Sequence, residues 1–177
     1  MNVSIGSGFT LLELMIVVAV VALLLVVGLP AYSDLLAERQ LEQAMNQLQA
    51  DVTLARQMAW HKRGAGIRIR FFPGEQWCYR ITDRSENQCR ACDDTCDIQG
   101  DGHLRGQDYR RWPAVRLQDA SYLDSSLMVD SRRGGLTAGY VQLSTLDSAL
   151  RLVSTGYGRL RLCHLSPSSD ANEVASC

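Results

Sequence analysis

GFTLLELMIVVAVVALLLVVGL, Gly8 to Leu29, decides how the rest of the chain is read. From Leu14 to Leu29 it runs for sixteen residues without a charge. A helix needs about 20 apolar residues to cross a bilayer core. The single acid at its head, Glu13, would cost on the order of 2–3 kcal/mol there as a bare carboxylate, so it asks for a cationic partner. A secretory signal would have a shorter apolar segment, about 7–15 residues, ending at small residues. Here the run is longer, and Leu29-Pro30-Ala31-Tyr32 leads on toward a helical pattern.

After Pro30 the pattern turns amphipathic. Leu41, Ala44, Leu48, Val52, Ala55 and Ala59 recur every three or four residues, with Glu38, Arg39, Glu42, Gln49 and Arg56 between them. That spacing predicts one apolar stripe on a helix, ending near His61-Lys62-Arg63-Gly64. The two parts together make a helix of about 50 residues, roughly 75–80 Å at 1.5 Å per residue, which Pro30 should bend or loosen. Beyond Gly66 the period drops to two. Ile67, Ile69 and Phe71 alternate with Arg68 and Arg70, and Trp77, Tyr79 and Ile81 alternate with polar neighbours, predicting two half-buried strands joined at Pro73-Gly74. Further strands are expected at Ala114–Gln118, Ser126–Val129, Tyr140–Ser144, Ala149–Ser154 and Arg159–Leu165. One helix followed by many strands makes an α+β domain with an antiparallel sheet.

The 177 residues leave roughly 145 for one domain beyond the leader and apolar run, enough to bury a core. A net charge of −1 says little about partners, but of the 18 basic residues only Lys62 is a lysine. Arginine suits bidentate recognition of phosphate or carboxylate, and high-GC codon usage enriches it as well. Six cysteines behind a candidate membrane-spanning run would favour disulfides over thiols in a domain outside the cytoplasm. Cys89, Cys92 and Cys96 lie in the polar, irregular stretch from Asp83 to Trp112, where a zinc site would need a further matching ligand pair. Asp93, Asp94, Asp97 and Asp101 there do not fit the calcium-loop register. A disulfide-stapled surface loop that also uses Cys78 is expected instead, with no metal and no cofactor; six cysteines allow fifteen connectivities. His61, His103 and His164 form no catalytic pattern, and no enzyme is expected.

The C-terminal part is basic. Between Ser131 and Ser169 stand Arg132, Arg133, Arg151, Arg159 and Arg161 against one acid, Asp147. In Ser154-Thr155-Gly156-Tyr157-Gly158-Arg159-Leu160-Arg161-Leu162-Cys163, two glycines make a tight turn and a strand follows. A period of two would send Leu160 and Leu162 into the core and set Arg159 and Arg161 about 6.6–7 Å apart outside. Such an array fits phosphate backbones. It also fits the solvated side of an edge strand that discourages aggregation.

Gly8-Phe9-Thr10-Leu11-Leu12-Glu13-Leu14, the apolar run behind it and Pro30 resemble the type IV pilins and the related secretion pseudopilins. Within that superfamily, the helix-then-strands order and the chain's ending resemble the GspH/FimT group. Gly158-Arg159-Leu160-Arg161 before Cys163 looks like the G-R-x-R motif of DNA-binding members of that group. The resemblance implies a leader, residues 1–8, cut by a prepilin peptidase between Gly8 and Phe9, with N-methylation of Phe9. The leader departs from the family pattern in having no Lys or Arg. It implies a transmembrane or filament-core helix over 9–30 and a soluble pilin domain over 31–177, with the amphipathic helix about 31–63 and the β-rich part about 66–177. Glu13 would pair with the amino terminus of a neighbouring subunit during assembly. Cys163 and Cys177 would pair and tie down the strand bearing the arginines. The implied path is single-pass in the inner membrane with the domain in the periplasm, then a pilus with other major and minor pilins. Two functions follow from it: double-stranded DNA binding through Gly158, Arg159, Arg161, Arg151, Arg132 and Arg133 for natural transformation, or a structural minor pilin or type II secretion pseudopilin that binds no DNA.

Overall fold

A computed structural model describes residues 10–61, 66–83, 88–92, 96–98 and 103–165, apart from the side chains at 27–31 and 123. The chain divides into two compact units, Met1–Leu36 and Ala37–Cys177. One helix, α1 (Leu11–His61), supplies the described part of the first unit and opens the second. In the first unit every described side chain from Leu11 to Val26 is exposed. Among the described residues no helix is long and apolar enough to cross a membrane. The described apolar stretch ends at Val26, and the side chain of Pro30 lies outside the described residues.

Among the described residues, the second unit is built from the helical stripe and eight strands. Leu41, Ala44, Met45, Leu48, Val52, Ala55 and Ala59 are all buried, as the three-four spacing requires. Strands β1 (Arg68–Phe72), β2 (Cys78–Thr82), β3 (Arg105–Asp108) and β5 (Ser126–Met128) form one antiparallel sheet in the order β3-β2-β1-β5. Strands β4 (Arg116–Ala120), β6 (Gly139–Ser144), β7 (Ala149–Ser154) and β8 (Leu160–Leu165) form a second in the order β4-β6-β7-β8. The architecture is α+β as expected, with two four-stranded sheets in place of one. Helix and sheets share one core, and polar side chains pin their register. The Tyr79 hydroxyl donates to Asp51 Oδ2 at 2.9 Å, Gln47 Nε2 donates to Asp51 Oδ1 at 3.0 Å, and Trp77 Nε1 donates to the Val115 carbonyl at 2.6 Å. Burial and the neighbouring Asp51 charge both push the Tyr79 hydroxyl pKa far up, so it stays a donor.

Two expectations fail in the first sheet. β2 is buried along its whole length, not half-buried, and Arg70 and Arg80, registered opposite each other, are only 8% and 6% exposed. Over Arg80 the cover comes from the polar segment, which disulfides Cys78–Cys92 and Cys89–Cys96 staple down and in which Ile98 is buried. Arg80 is satisfied there by the carbonyls of Cys92 and Gln107 and by Asp108 Oδ2 at 3.6 Å. The same segment holds β3, which has no apolar alternation to announce it. Its Gly106 has φ +128°, and a Cβ there would run into the Tyr79 carbonyl, so only glycine lets the strands pair.

Candidate functional site

The β7–β8 connection is a short turn with a fixed shape. The Gly158 N–H donates to the Thr155 carbonyl at 2.8 Å, the Thr155 N–H to the Arg159 carbonyl at 3.0 Å, and the Arg159 N–H to Thr155 Oγ1 at 3.2 Å. Gly158 sits at φ +82°, in the left-handed region that other residues avoid. From α1, Arg56 reaches across 102 positions of sequence and donates Nη2 to the Gly158 carbonyl. The helix thereby holds the turn.

A second turn leans on the first. The Asp130 N–H donates to the Gly135 carbonyl and the Gly134 N–H to the Asp130 carbonyl, both at 2.9 Å, and Asp130 Oδ1 accepts the Arg132 N–H at 2.8 Å. A Cβ on Gly158 would lie 2.9 Å from the Gly134 carbonyl oxygen, and one on Gly135 would lie 2.8 Å from that of Gly156. Main chain therefore meets main chain, and glycine on both sides permits it. Ser154 Oγ donates to the Thr137 carbonyl at 2.6 Å and sits 3.1 Å from the Tyr122 hydroxyl, fixing the base of both turns. Arg132, Arg133 and Arg159 are all exposed at this junction. Among the described residues no ion pair engages their guanidinium groups. Three cations on touching turns, with Asp130 the acid at their base, make a surface suited to an anion.

The five expected arginines differ in their surroundings. Arg151 lies on the outward face of the second sheet, half-buried, with its guanidinium 4.2 Å from the Tyr140 ring centroid and bonded to Gln142 Oε1 at 2.8 Å. Tyr140 in turn donates to Asp119 Oδ2 at 2.8 Å, which raises its pKa along with burial. Arg161 is exposed and carries an interaction of its own. Leu162, expected in the core, is 41% exposed. It pairs with the buried Leu152, but β8 is the edge strand and its inward face is not fully covered. Cys163 is disulfide-bonded and buried; its expected partner Cys177 lies outside the described residues.

Gly8 and Phe9 also lie outside the described residues. Glu13 does not, and it stands in the first turn of α1. Its N–H bonds to Thr10 Oγ1 at 3.3 Å and to the Thr10 carbonyl at 3.1 Å. Thr10-x-x-Glu13 is thus an N-terminal cap, with an acid where the helix dipole favours one. Behind it Leu11, Leu12, Leu14, Met15, Leu23 and Val26 are each at least 60% exposed, an apolar surface of the kind that marks an interaction site.

In the sequence Arg56 is one polar spacer among several, and two aromatic residues near the turn it holds carry no periodic signal. Tyr157, at the apex between Gly156 and Gly158, is 97% exposed. Trp60, one helical turn beyond Arg56, is 69% exposed and lines a shallow groove with Arg56, Gln57 and His61.

Comparison with known proteins finds short, strong likenesses. The chain is 50% identical over 40 residues to Fimbrial protein EcpC of Eikenella corrodens, covering 23% of this chain and 26% of that protein. It is 50% identical over 38 residues to a Fimbrial protein of Moraxella nonliquefaciens, covering 22% and 25%. It is 44% identical over 47 residues to Fimbrial protein Q of Moraxella bovis, covering 27% and 30%. The match spans about a quarter of the length of these relatives. No family model matches the chain, and no solved structure matches it significantly.

Proposed function

We propose that the chain is a minor subunit of a type IV pilus, FimT-like in kind, that binds DNA without sequence preference for natural transformation. The likeness to fimbrial proteins and the capped, exposed apolar helix beginning at Leu11 support the filament part of this reading. In it, a prepilin peptidase cuts between Gly8 and Phe9, Phe9 is methylated, and Glu13 meets the amine of a neighbouring pilin. The apolar helix rests in the inner membrane with the domain in the periplasm until the subunit enters a surface pilus. The chain has no catalytic role.

The observation that supports the DNA part is the contact of the two glycine turns, whose flanking residues include the exposed Arg132, Arg133 and Arg159, with Arg161 two positions on. Guanidinium groups in that arrangement meet phosphates and read charge rather than bases. With three phosphate contacts, raising salt from 50 to 200 mM should weaken binding roughly fortyfold. Fluorescence anisotropy of a random-sequence duplex with the whole chain in neutral detergent tests this. Arg159→Gln with Arg161→Gln should remove most binding and leave the fold intact. A duplex that does not bind, or binds the double variant as well as the native chain, refutes it.

The engagement of Arg151 by Tyr140 and Gln142 favours a second reading, in which the outer-face arginines are structural and the chain is a minor pilin or secretion pseudopilin without DNA. The duplex titration separates the two: in the second reading the native chain shows no salt-sensitive binding, and Arg151→Gln lowers stability alone.

A further inference from the structure

The contact between α1 and the β7–β8 turn has an exposed aromatic residue close to it in sequence on each side. Arg56 donates to the Gly158 carbonyl, Tyr157 precedes that glycine, Trp60 follows Arg56 by one helical turn, and Arg159 follows Gly158. Residues four apart on a helix have Cβ atoms about 6 Å apart, so Trp60 and the Arg56 anchor share a face. Both aromatic rings stand in solvent, whereas the other tryptophans, Trp77 and Trp112, are buried. Neither exposed ring serves the core. The turn that carries Tyr157 is closed by three hydrogen bonds and tied to the helix by a fourth, so the ring stands on a fixed backbone and not on a loose loop.

Exposed aromatics interleaved with arginines are the chemistry of single-strand binding: guanidinium groups take the phosphates and ring faces take the bases. A duplex hides its base faces and offers nothing for a ring to stack on. We infer that Tyr157 and Trp60 are stacking platforms for unpaired bases, so that this surface takes single-stranded DNA through its bases as well as its backbone. The inference rests on the DNA-binding reading above and names the form of DNA the site prefers. A single strand carries half the phosphates of a duplex of equal length, so charge alone would favour the duplex. Stacking reverses the order.

The test uses the whole chain in neutral detergent at low salt, with labelled twenty-nucleotide oligothymidylate and a twenty-base-pair duplex as probes. The native chain should bind the single strand at least as tightly as the duplex. Tyr157→Ala should weaken the single strand about tenfold and the duplex less than about twofold, while Tyr157→Phe, which keeps the ring, should bind both like the native chain. Oligothymidylate should quench the exposed Trp60 emission, and the duplex should not; Trp60→Phe identifies the source of that signal. If Tyr157→Ala and Trp60→Ala bind both probes like the native chain, or weaken both equally, the stacking inference falls. It falls likewise if those variants only reduce entry into filaments. In those cases duplex binding that is still lost in Arg159→Gln with Arg161→Gln leaves the broader reading standing. If the native chain binds neither probe, both fall.

Discussion

Replacing Gly158 by alanine should do damage out of proportion to one methyl group. At φ +82° an L-residue pays about 1–2 kcal/mol for the left-handed conformation alone. The new Cβ would also lie 2.6 Å from Arg56 Nη2 and 2.9 Å from the Gly134 carbonyl oxygen. The first clash is cheap to relieve, because a guanidinium tip can swing away, but that forfeits a charged hydrogen bond worth about 1.5–3 kcal/mol. The second is harder to relieve, because Gly134 is held in a turn closed at both ends by 2.9 Å bonds, so the two turns must part. Allowing for partial relaxation, Gly158→Ala should cost about 2–4 kcal/mol. With a urea slope near 2 kcal/mol/M, the unfolding midpoint should fall by about 1–2 M. Fluorescence of the buried Trp77 and Trp112 reports the transition. In an Arg56→Met background, which keeps the apolar stem, the same change should cost at least about 1 kcal/mol less, because the bond it breaks is already gone. A Gly158→Ala midpoint within about 0.3 M of the native one would refute this account of the turn. So would an equal cost in both backgrounds.

Removing the Cys78–Cys92 crosslink, which spans 14 positions, by serine at both sites should lower stability by about 3 kcal/mol in the chain-entropy model, read as a shift in urea midpoint. The alkaline limb of stability should fall early. Burial raises Tyr122 to about 12 in the fold against about 10 unfolded, so its contribution is full below pH 10 and is lost as pH climbs from 10 through 12, roughly 3 kcal/mol in all, seen by urea midpoints alongside tyrosinate absorbance. Thr10→Ala removes the cap on α1 and should cost about 1 kcal/mol, faster amide exchange at Glu13 and Leu14 being the readout.

Much of the domain was legible because it is periodic. The stripe from Leu41 to Ala59 is buried residue for residue, and β7 occupies the stretch Ala149–Ser154 that alternation assigns to it. What alternation cannot show is what lies on the other side. Arg70 and Arg80 read as solvent-facing because their neighbours along each strand are apolar, yet both are buried, Arg80 against the carbonyl of Cys92 in the crosslinked segment. Leu162 reads as core, and its edge-strand position leaves it half outside. β3 has the sequence Arg-Gly-Gln-Asp, no strand former among them, and exists because β2 offers it a ladder. At the site, the glycines and arginines of the β7–β8 turn were visible as a local pattern. The contacts of that turn with Arg56 and with the Gly134 turn join distant parts of the chain, and no local spacing signals them.

The two disulfides of the first sheet overlap: Cys89 lies inside the Cys78–Cys92 loop, and Cys92 lies inside the Cys89–Cys96 loop. Every peptide bond from Cys78 to Cys96 is therefore spanned by at least one sulfur bridge. A protease that nicks the chain anywhere in this interval makes a cut but releases nothing; the two lengths of chain stay covalently one, and β2 keeps its cover. Under enzymatic attack such a clasp turns what would be a severing event into a harmless scar, visible on a gel only after a reductant is added.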